Sequence, residues 1–150
     1  MDKLRLEIFY IYFSPYTAHA VGLDGVAYPT VEHAYQCQRY VDEDIKNEIL
    51  NARSPMLAWQ VSRKYRHLQI PEFKNDDYQR EVMKRIMRLK AEQHDEVRQA
   101  LLDSGDQQII KHILTYPPGN GYWDDGENGE GRNEMGRIWM ELREEFRDKK

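Results

Sequence analysis

Between Asp77 and Gln93 the apolar residues Tyr78, Val82, Ile86 and Leu89 recur at spacings of three and four. That is the period of an α-helix with one stripe facing a core, not the alternation of a strand. Lys84, Arg85, Arg88 and Lys90 fall off that stripe and form the wet side. A stripe of this length needs other elements to cover it. The chain supplies further helices: from about Val31 to Tyr40, from Asp42 to Ala52, and one opened by Ser54-Pro55, with serine as cap and proline at the first helical position. That third helix carries Met56, Leu57, Trp59, Val61 and Arg63, and Pro71 ends the segment after it. Asp95 to Leu102 is helical, with Gly105 as a left-handed stop. A last helix starts near Glu134 with Asn133 as cap. Trp59, Trp139 and Met140 are expected in the core.

Strand signals are few. Leu4 to Phe13, rich in Ile, Phe and Tyr, reads as a strand. Asp24-Gly25, flanked by Val21, Leu23, Val26 and Tyr28, reads as a short hairpin. The apolar run Ile109 to Leu114 fits either type, and Tyr116 to Arg132 is a long glycine-rich loop. There is no repeat, linker or low-complexity tail. The expected fold is mainly α: one compact multihelical domain over residues 1–150 with a short N-terminal β-hairpin.

The net charge of −4 argues against a general nucleic-acid surface, which needs a basic face, but leaves room for a local basic pocket. Cys37 is the only cysteine, so no internal disulfide forms and a reducing cytoplasm is the expected home. No apolar run approaches membrane-spanning length, and the N-terminus lacks the layout of a secretion signal.

Glu32 stands out. In Pro29-Thr30-Val31-Glu32-His33 a turn becomes a helix, and Thr30 can cap the first free amides. Glu32 then stands in the first turn, where a carboxylate either stabilises the helix or acts as a positioned acid or base. The loop Tyr122 to Asn133 fits no phosphate-binding P-loop, dinucleotide fingerprint or calcium loop. What remains is an aromatic pair, carboxylates and an amide opening onto a helix N-terminus, which can receive an anion. The competing reading is a surface loop with one tryptophan plugged into the core. His33 and Cys37, four apart, read as a packed histidine and a small apolar thiol rather than a metal pair. Arg63, Lys64 and Arg66 form a basic cluster that suits either solvent or a phosphate.

Taken in order, these pieces resemble the NADAR family, and within it the YbiA-like N-glycosidases, over about residues 13 to 146. The resemblance rests on Phe13-Ser14, Leu23-Asp24-Gly25 and Tyr28-Pro29-Thr30-Val31-Glu32-His33-Ala34-Tyr35-Gln36-Cys37-Gln38. It continues through Ser54-Pro55-Met56, Arg63, Val82-Met83, Lys90 with Gln93-His94, Leu101-Leu102 and Trp123-x-Asp125-Gly126. Gly129-x-Gly131-x-Asn133-x-x-Gly136 and Met140-Glu141-Leu142-Arg143 close it. Pro15, Tyr28 and Asp124 stand where the family usually has asparagine, tryptophan and glycine.

The resemblance implies hydrolysis of a ribose C1′–nitrogen bond. The implied substrate is a phosphoribosylamino-pyrimidine of early riboflavin synthesis, and the products are ribose 5-phosphate and the free amino-pyrimidine. Carried over by residue, Glu32 matches the catalytic glutamate, and Trp123, Asp125 and Asn133 match the loop lining the pocket. Arg63 matches a basic position suited to the phosphate, and Tyr28 and His33 are counted with the substrate-binding residues. The transition state of such a cleavage is oxocarbenium-like. The expectation is that Glu32 serves the ribose side as stabiliser and base, ionised by its helix end, while Asp125 orients hydroxyls or handles the leaving-group proton. Trp123 would stack on the base. No metal or cofactor is expected. The expected partner is a small phosphorylated ribosyl metabolite, with no membrane and no nucleic acid except as an ADP-ribosylated substrate. Two other readings stay open: a glycohydrolase removing ADP-ribose from nucleobases, and a non-catalytic module binding ADP-ribose or a nucleotide.

Overall fold

In the computed structural model, which describes residues 2–112 and 120–149, the chain forms two units: Pro15–His94, and Met1–Ser14 with Asp95–Lys150. The architecture is mainly α with one antiparallel hairpin, as expected. The end of the apolar run and the start of the glycine-rich segment read from the sequence, residues 113–119, lie outside the described residues.

In Pro15–His94 the hairpin pairs β1 (Val21–Leu23) with β2 (Val26–Tyr28), matching Val21 to Tyr28 and Leu23 to Val26. Asp24 and Gly25 both take positive φ, 51° and 83°, as a tight hairpin turn requires. Helix α2 (Val31–Cys37) follows, and every one of its residues is buried. Around it pack α3 (Glu43–Leu50), α4 (Pro55–Lys64) and α5 (Asp76–Gln93). The starts of α3, α4 and α5 are fixed by side chains: Asp42 accepts from Asp44 and Ile45, Ser54 from Leu57, and Asn75 from Tyr78. Pro71 opens a 3₁₀ turn (Pro71–Lys74) rather than simply ending a segment.

The buried stripe of α5 is rotated from the expected one. Met83, Ile86, Met87, Lys90 and Ala91 are buried, whereas Val82 and Leu89 are half-buried and Tyr78 is exposed. Two unbranched methionines fill the core in place of the branched residues. Lys90, expected on the wet side, is fully buried. Trp59 is half-buried instead of core, with the Arg63 guanidinium 5.2 Å from its ring centre.

In the second unit, Leu4 to Phe13 is not a strand. A single turn, α1 (Leu6–Ile8), runs into a π-helical stretch, Phe9–Phe13, closed by Ser14 N–H donating to Phe9 O at 3.0 Å. Phe9 and Phe13 are buried while Ile11 is exposed, a period of four that overrides the β-propensity of the run. Phe13 packs on Trp139 with ring centres 5.0 Å apart, and the indole N–H donates to the Phe13 carbonyl at 3.0 Å. Helix α6 (Asp95–Asp103) packs against α7 (Glu134–Arg147). Buried Arg143 ties them by donating to Ser104 Oγ and Gln107 O at 2.9 and 2.8 Å. Trp139 is core as expected, and Met140 is half-buried.

Candidate active site

A glutamate, a glutamine and an arginine on fully buried turns are a costly arrangement unless each finds a partner. In Pro15–His94 they find one another. Thr30 caps α2, accepting from His33 N at 3.2 Å. Glu32, 6% exposed, stands in the first turn, its N–H donating to the Pro15 carbonyl at 3.1 Å. Gln36, one turn on, donates from Nε2 to Glu32 Oε2 at 3.3 Å. Gln36 Oε1 in turn accepts from Arg39 Nε at 2.9 Å and Ser62 Oγ at 2.7 Å. The Gln36 amide is thus fixed from both sides, which fixes the direction from which it holds the carboxylate.

Arg39 is itself locked. It donates to Gln69 Oε1 at 2.9 Å and to the Tyr35 hydroxyl at 3.2 Å, and its guanidinium lies 5.1 and 4.7 Å from the Tyr35 and Phe73 ring centres. Burial lowers its affinity for the proton, and Tyr35 and Glu32 partly restore it. Burial, with Glu32 second, raises the Tyr16 phenol well above its ordinary range.

Lys90 approaches the same segment from α5, its Nζ donating to Thr17 Oγ1 at 2.7 Å. Burial pushes this amine from 10.5 down to about 7. The residues Pro15 to Thr17 are therefore held by Glu32 at one end and Lys90 at the other.

His33 is packed. Thr30 Oγ1 lies 2.8 Å from Nδ1 and the Ala52 carbonyl 2.9 Å from Nε2, so a proton on Nε2 satisfies both nitrogens and both are engaged within the fold. The Cys37 thiol donates to the Lys46 carbonyl at 3.5 Å, and burial pushes it up to about 12. Tyr28 is buried at the end of β2, two residues before the cap. Arg63 is exposed and stacked on Trp59, while its neighbour Ser62 is the α4 residue that reaches the Glu32 network.

In the second unit the loop residues are organised by α7. Asn133 takes left-handed φ and ψ of 52° and 42°, and its side chain makes no cap. Instead Oδ1 accepts from Lys111 N at 2.8 Å and Nδ2 donates to Ile109 O at 2.9 Å, so the amide clamps the 109–111 backbone. The first amides of α7 are not open to an anion. Asn133, Glu134 and Met135 N–H donate to the carbonyls of Asp124, Tyr122 and Trp123 at 2.9, 3.0 and 3.1 Å. Gly131 N–H donates to Asp125 O at 2.6 Å. A Cβ at Gly131 would meet the Asp124 carbonyl at 2.5 Å, so only glycine fits there. Asp124, where the family usually has glycine, accepts from Gly126 N at 3.0 Å and needs no positive φ.

Asp125 is the half-buried carboxylate this scaffold presents. Its Oδ2 lies 2.6 Å from His112 Nδ1, and the His112 carbonyl accepts from the Tyr10 hydroxyl at 2.6 Å. The Tyr10 phenol is raised, chiefly by burial and then by Asp125 and Asp124. Trp123 is half-buried, its ring 4.9 Å from that of Tyr122 and perpendicular to it. A cavity of about 290 Å³ opens beside Asp125, lined also by Gln108, Arg132, Arg137 and Met140.

Of the expected site residues, Glu32, His33, Tyr28 and Arg63 belong to Pro15–His94, and Trp123, Asp125 and Asn133 to the other unit. Sequence reasoning gives Gln36 no role beyond its place in the matched motif, puts Lys90 in solvent, and passes over Arg39, Ser62 and His112. The one available signal was the row of polar side chains, Glu32, Gln36 and Arg39, on a single face of a helix flanked by apolar residues.

The NADAR domain matches the chain over residues 7–147. N-glycosidase YbiA of Shigella flexneri serotype 5b (strain 8401) is 37% identical over 135 residues, covering 89% of this chain and 80% of that protein. A riboflavin biosynthesis protein of Vibrio vulnificus (strain YJ016) is 33% identical, covering 86% of this chain and 34% of its own length. The solution structure of the Escherichia coli protein YbiA superposes with a TM-score of 0.79 at 33% identity, covering 91% of this chain and 78% of that one.

Proposed function

The chain belongs to the NADAR family, and from that premise we propose that it hydrolyses the ribose C1′–nitrogen bond of phosphoribosylamino-pyrimidine intermediates of riboflavin biosynthesis. Ribose 5-phosphate and the free amino-pyrimidine are the products. The enzyme is a hydrolase acting on N-glycosyl bonds, and both units together form its NADAR domain. The observation that carries this reading is Glu32: a carboxylate removed from water on a fully buried helix, held by an amide that is itself held twice.

Cleavage develops positive charge on the ribose ring. Glu32 stabilises that charge and activates the attacking water, since a pre-oriented carboxylate needs no reorganisation as the charge forms. The departing nitrogen needs a proton. Asp125 with His112 is a carboxylate–imidazole pair able to supply it, and Lys90, an amine balanced near neutrality, is a second proton-transfer group. Trp123 stacks on the base, Tyr28 lines the sugar side, and Arg63 holds the phosphate. His33 and Asn133 position their helix ends. The site belongs to the reducing cytoplasm, and its partner is a small phosphorylated ribosyl metabolite. Among the described residues no helix is long and apolar enough to cross a membrane.

The test is a substrate panel. The protein is incubated separately with the phosphoribosylamino-pyrimidine and with an ADP-ribosylated nucleobase, and release of the sugar is followed. Turnover confined to the first supports the reading. Turnover confined to the second assigns the chain to ADP-ribose removal.

A further inference from the structure

Lys90 is the end of a longer polar line. Its Nζ donates to Thr17 Oγ1 at 2.7 Å, and the same oxygen lies 2.5 Å from His19 Nδ1. A threonine hydroxyl carries one proton. Receiving an N–H from Lys90, Thr17 has its own proton left to give to Nδ1, which puts the His19 proton on Nε2. Lys90 is fully buried, while Thr17 and His19 are half-buried. The hydrogen-bonded atoms therefore run without a gap from the interior to the edge of solvent. His94, just past the end of α5, stands edge-on to His19 with ring centres 5.0 Å apart, and its own Nε2 is held 2.6 Å from the Ala20 carbonyl. That contact holds the His19 ring in place.

We propose that Thr17 and His19 form a proton relay connecting the buried Lys90 amine to solvent. The relay rests on the reading of Lys90 as a proton-transfer group of the hydrolase. Protonated Lys90 passes a proton to Thr17 Oγ1 while the Thr17 hydroxyl proton passes to His19 Nδ1. Lys90 becomes a neutral amine, Thr17 remains an alcohol, and His19 becomes an imidazolium, so one positive charge moves outward. His19 then releases its Nε2 proton to water. The reverse sequence reloads Lys90, and nothing is consumed besides the proton. Among the titratable side chains on this line, Lys90 comes from α5, His94 from its end, and His19 from the segment before β1.

The test follows the exchange of the Lys90 Nζ protons with water by NMR in the full chain carrying ¹⁵N-lysine. Wild type is compared with Thr17→Val, Thr17→Ser and His19→Gln. The relay predicts exchange slowed at least about tenfold in Thr17→Val and in His19→Gln, with Thr17→Ser restoring it. Steady-state turnover measured in parallel falls in kcat with little change in KM for Thr17→Val, and Thr17→Ser rescues it. Val matches Thr in shape, and His19→Gln keeps the test alive if Thr17→Val does not fold. Unchanged exchange in Thr17→Val or His19→Gln overturns the relay whatever turnover does. Slowed exchange in a protein that never cleaves the phosphoribosylamino-pyrimidine supports the relay and overturns the substrate reading instead.

Discussion

Glu32, Arg39 and Lys90 of Pro15–His94 are held away from water, each at a cost that folding alone does not require. For Lys90 the cost has a definite pH signature. The unfolded chain holds the lysine proton up to about 10.5, whereas the folded protein releases it near 7. Between those values the unfolded state binds more protons, so stability rises with pH across that window, and below it the whole penalty is present. Denaturant midpoints of wild type should therefore climb from pH 7 toward pH 10, and Lys90→Met should lose that climb and exceed wild type at pH 6. Parallel pH profiles for the two proteins would refute the burial of the amine. For Glu32 the signature is kinetic. Gln36→Leu removes the amide that orients the carboxylate and deletes the bonds that Arg39 Nε and Ser62 Oγ make to Gln36 Oε1. Its kcat should fall roughly 10- to 100-fold, the size of a lost hydrogen bond to a charged group, with KM little changed.

The start of α7 is the element on which the loop depends. Gly136 sits so close to its neighbours that a Cβ would lie 2.0 Å from the Ile109 carbonyl and 2.4 Å from Asn133 Nδ2. Gly136→Ala should cost more than about 3 kcal/mol, because backbone cannot yield as a flexible side chain does. Asn133→Ala deletes both clamps on the 109–111 backbone and leaves an alanine in left-handed conformation, a loss of roughly 2–4 kcal/mol. Calorimetry on the two variants checks both, and a wild-type Tm for either would contradict the clamp. At this scale the legible features were local. Ser54-Pro55, Asp42 and Asp24-Gly25 announce their caps and turn because the physics lies within three residues. Asn133 announces the position of a helix start, but its side chain turns to residues over twenty positions away, which no local pattern encodes.

At the scale of the whole chain, the fold class and family were readable because they rest on many short signals in one order. The N-terminal segment was not, since aromatic and β-branched residues read as a strand until tertiary burial of Phe9 and Phe13 imposes a helical period. Lys90 was misplaced because charge predicts solvent, and only the surrounding packing shows otherwise. The pairing of His112 with Asp125 lay hidden because it joins residues thirteen apart, beyond the reach of any local pattern. Glu32 was visible from its cap and first-turn position, and the structure adds the network that holds it. The most direct test of that assignment compares wild type with Glu32→Gln, an isosteric change, for release of ribose 5-phosphate from the phosphoribosylamino-pyrimidine. With both proteins shown to be folded, the account predicts that wild type turns over and that Glu32→Gln loses at least about 100-fold in kcat. Near-normal turnover by folded Glu32→Gln would contradict it.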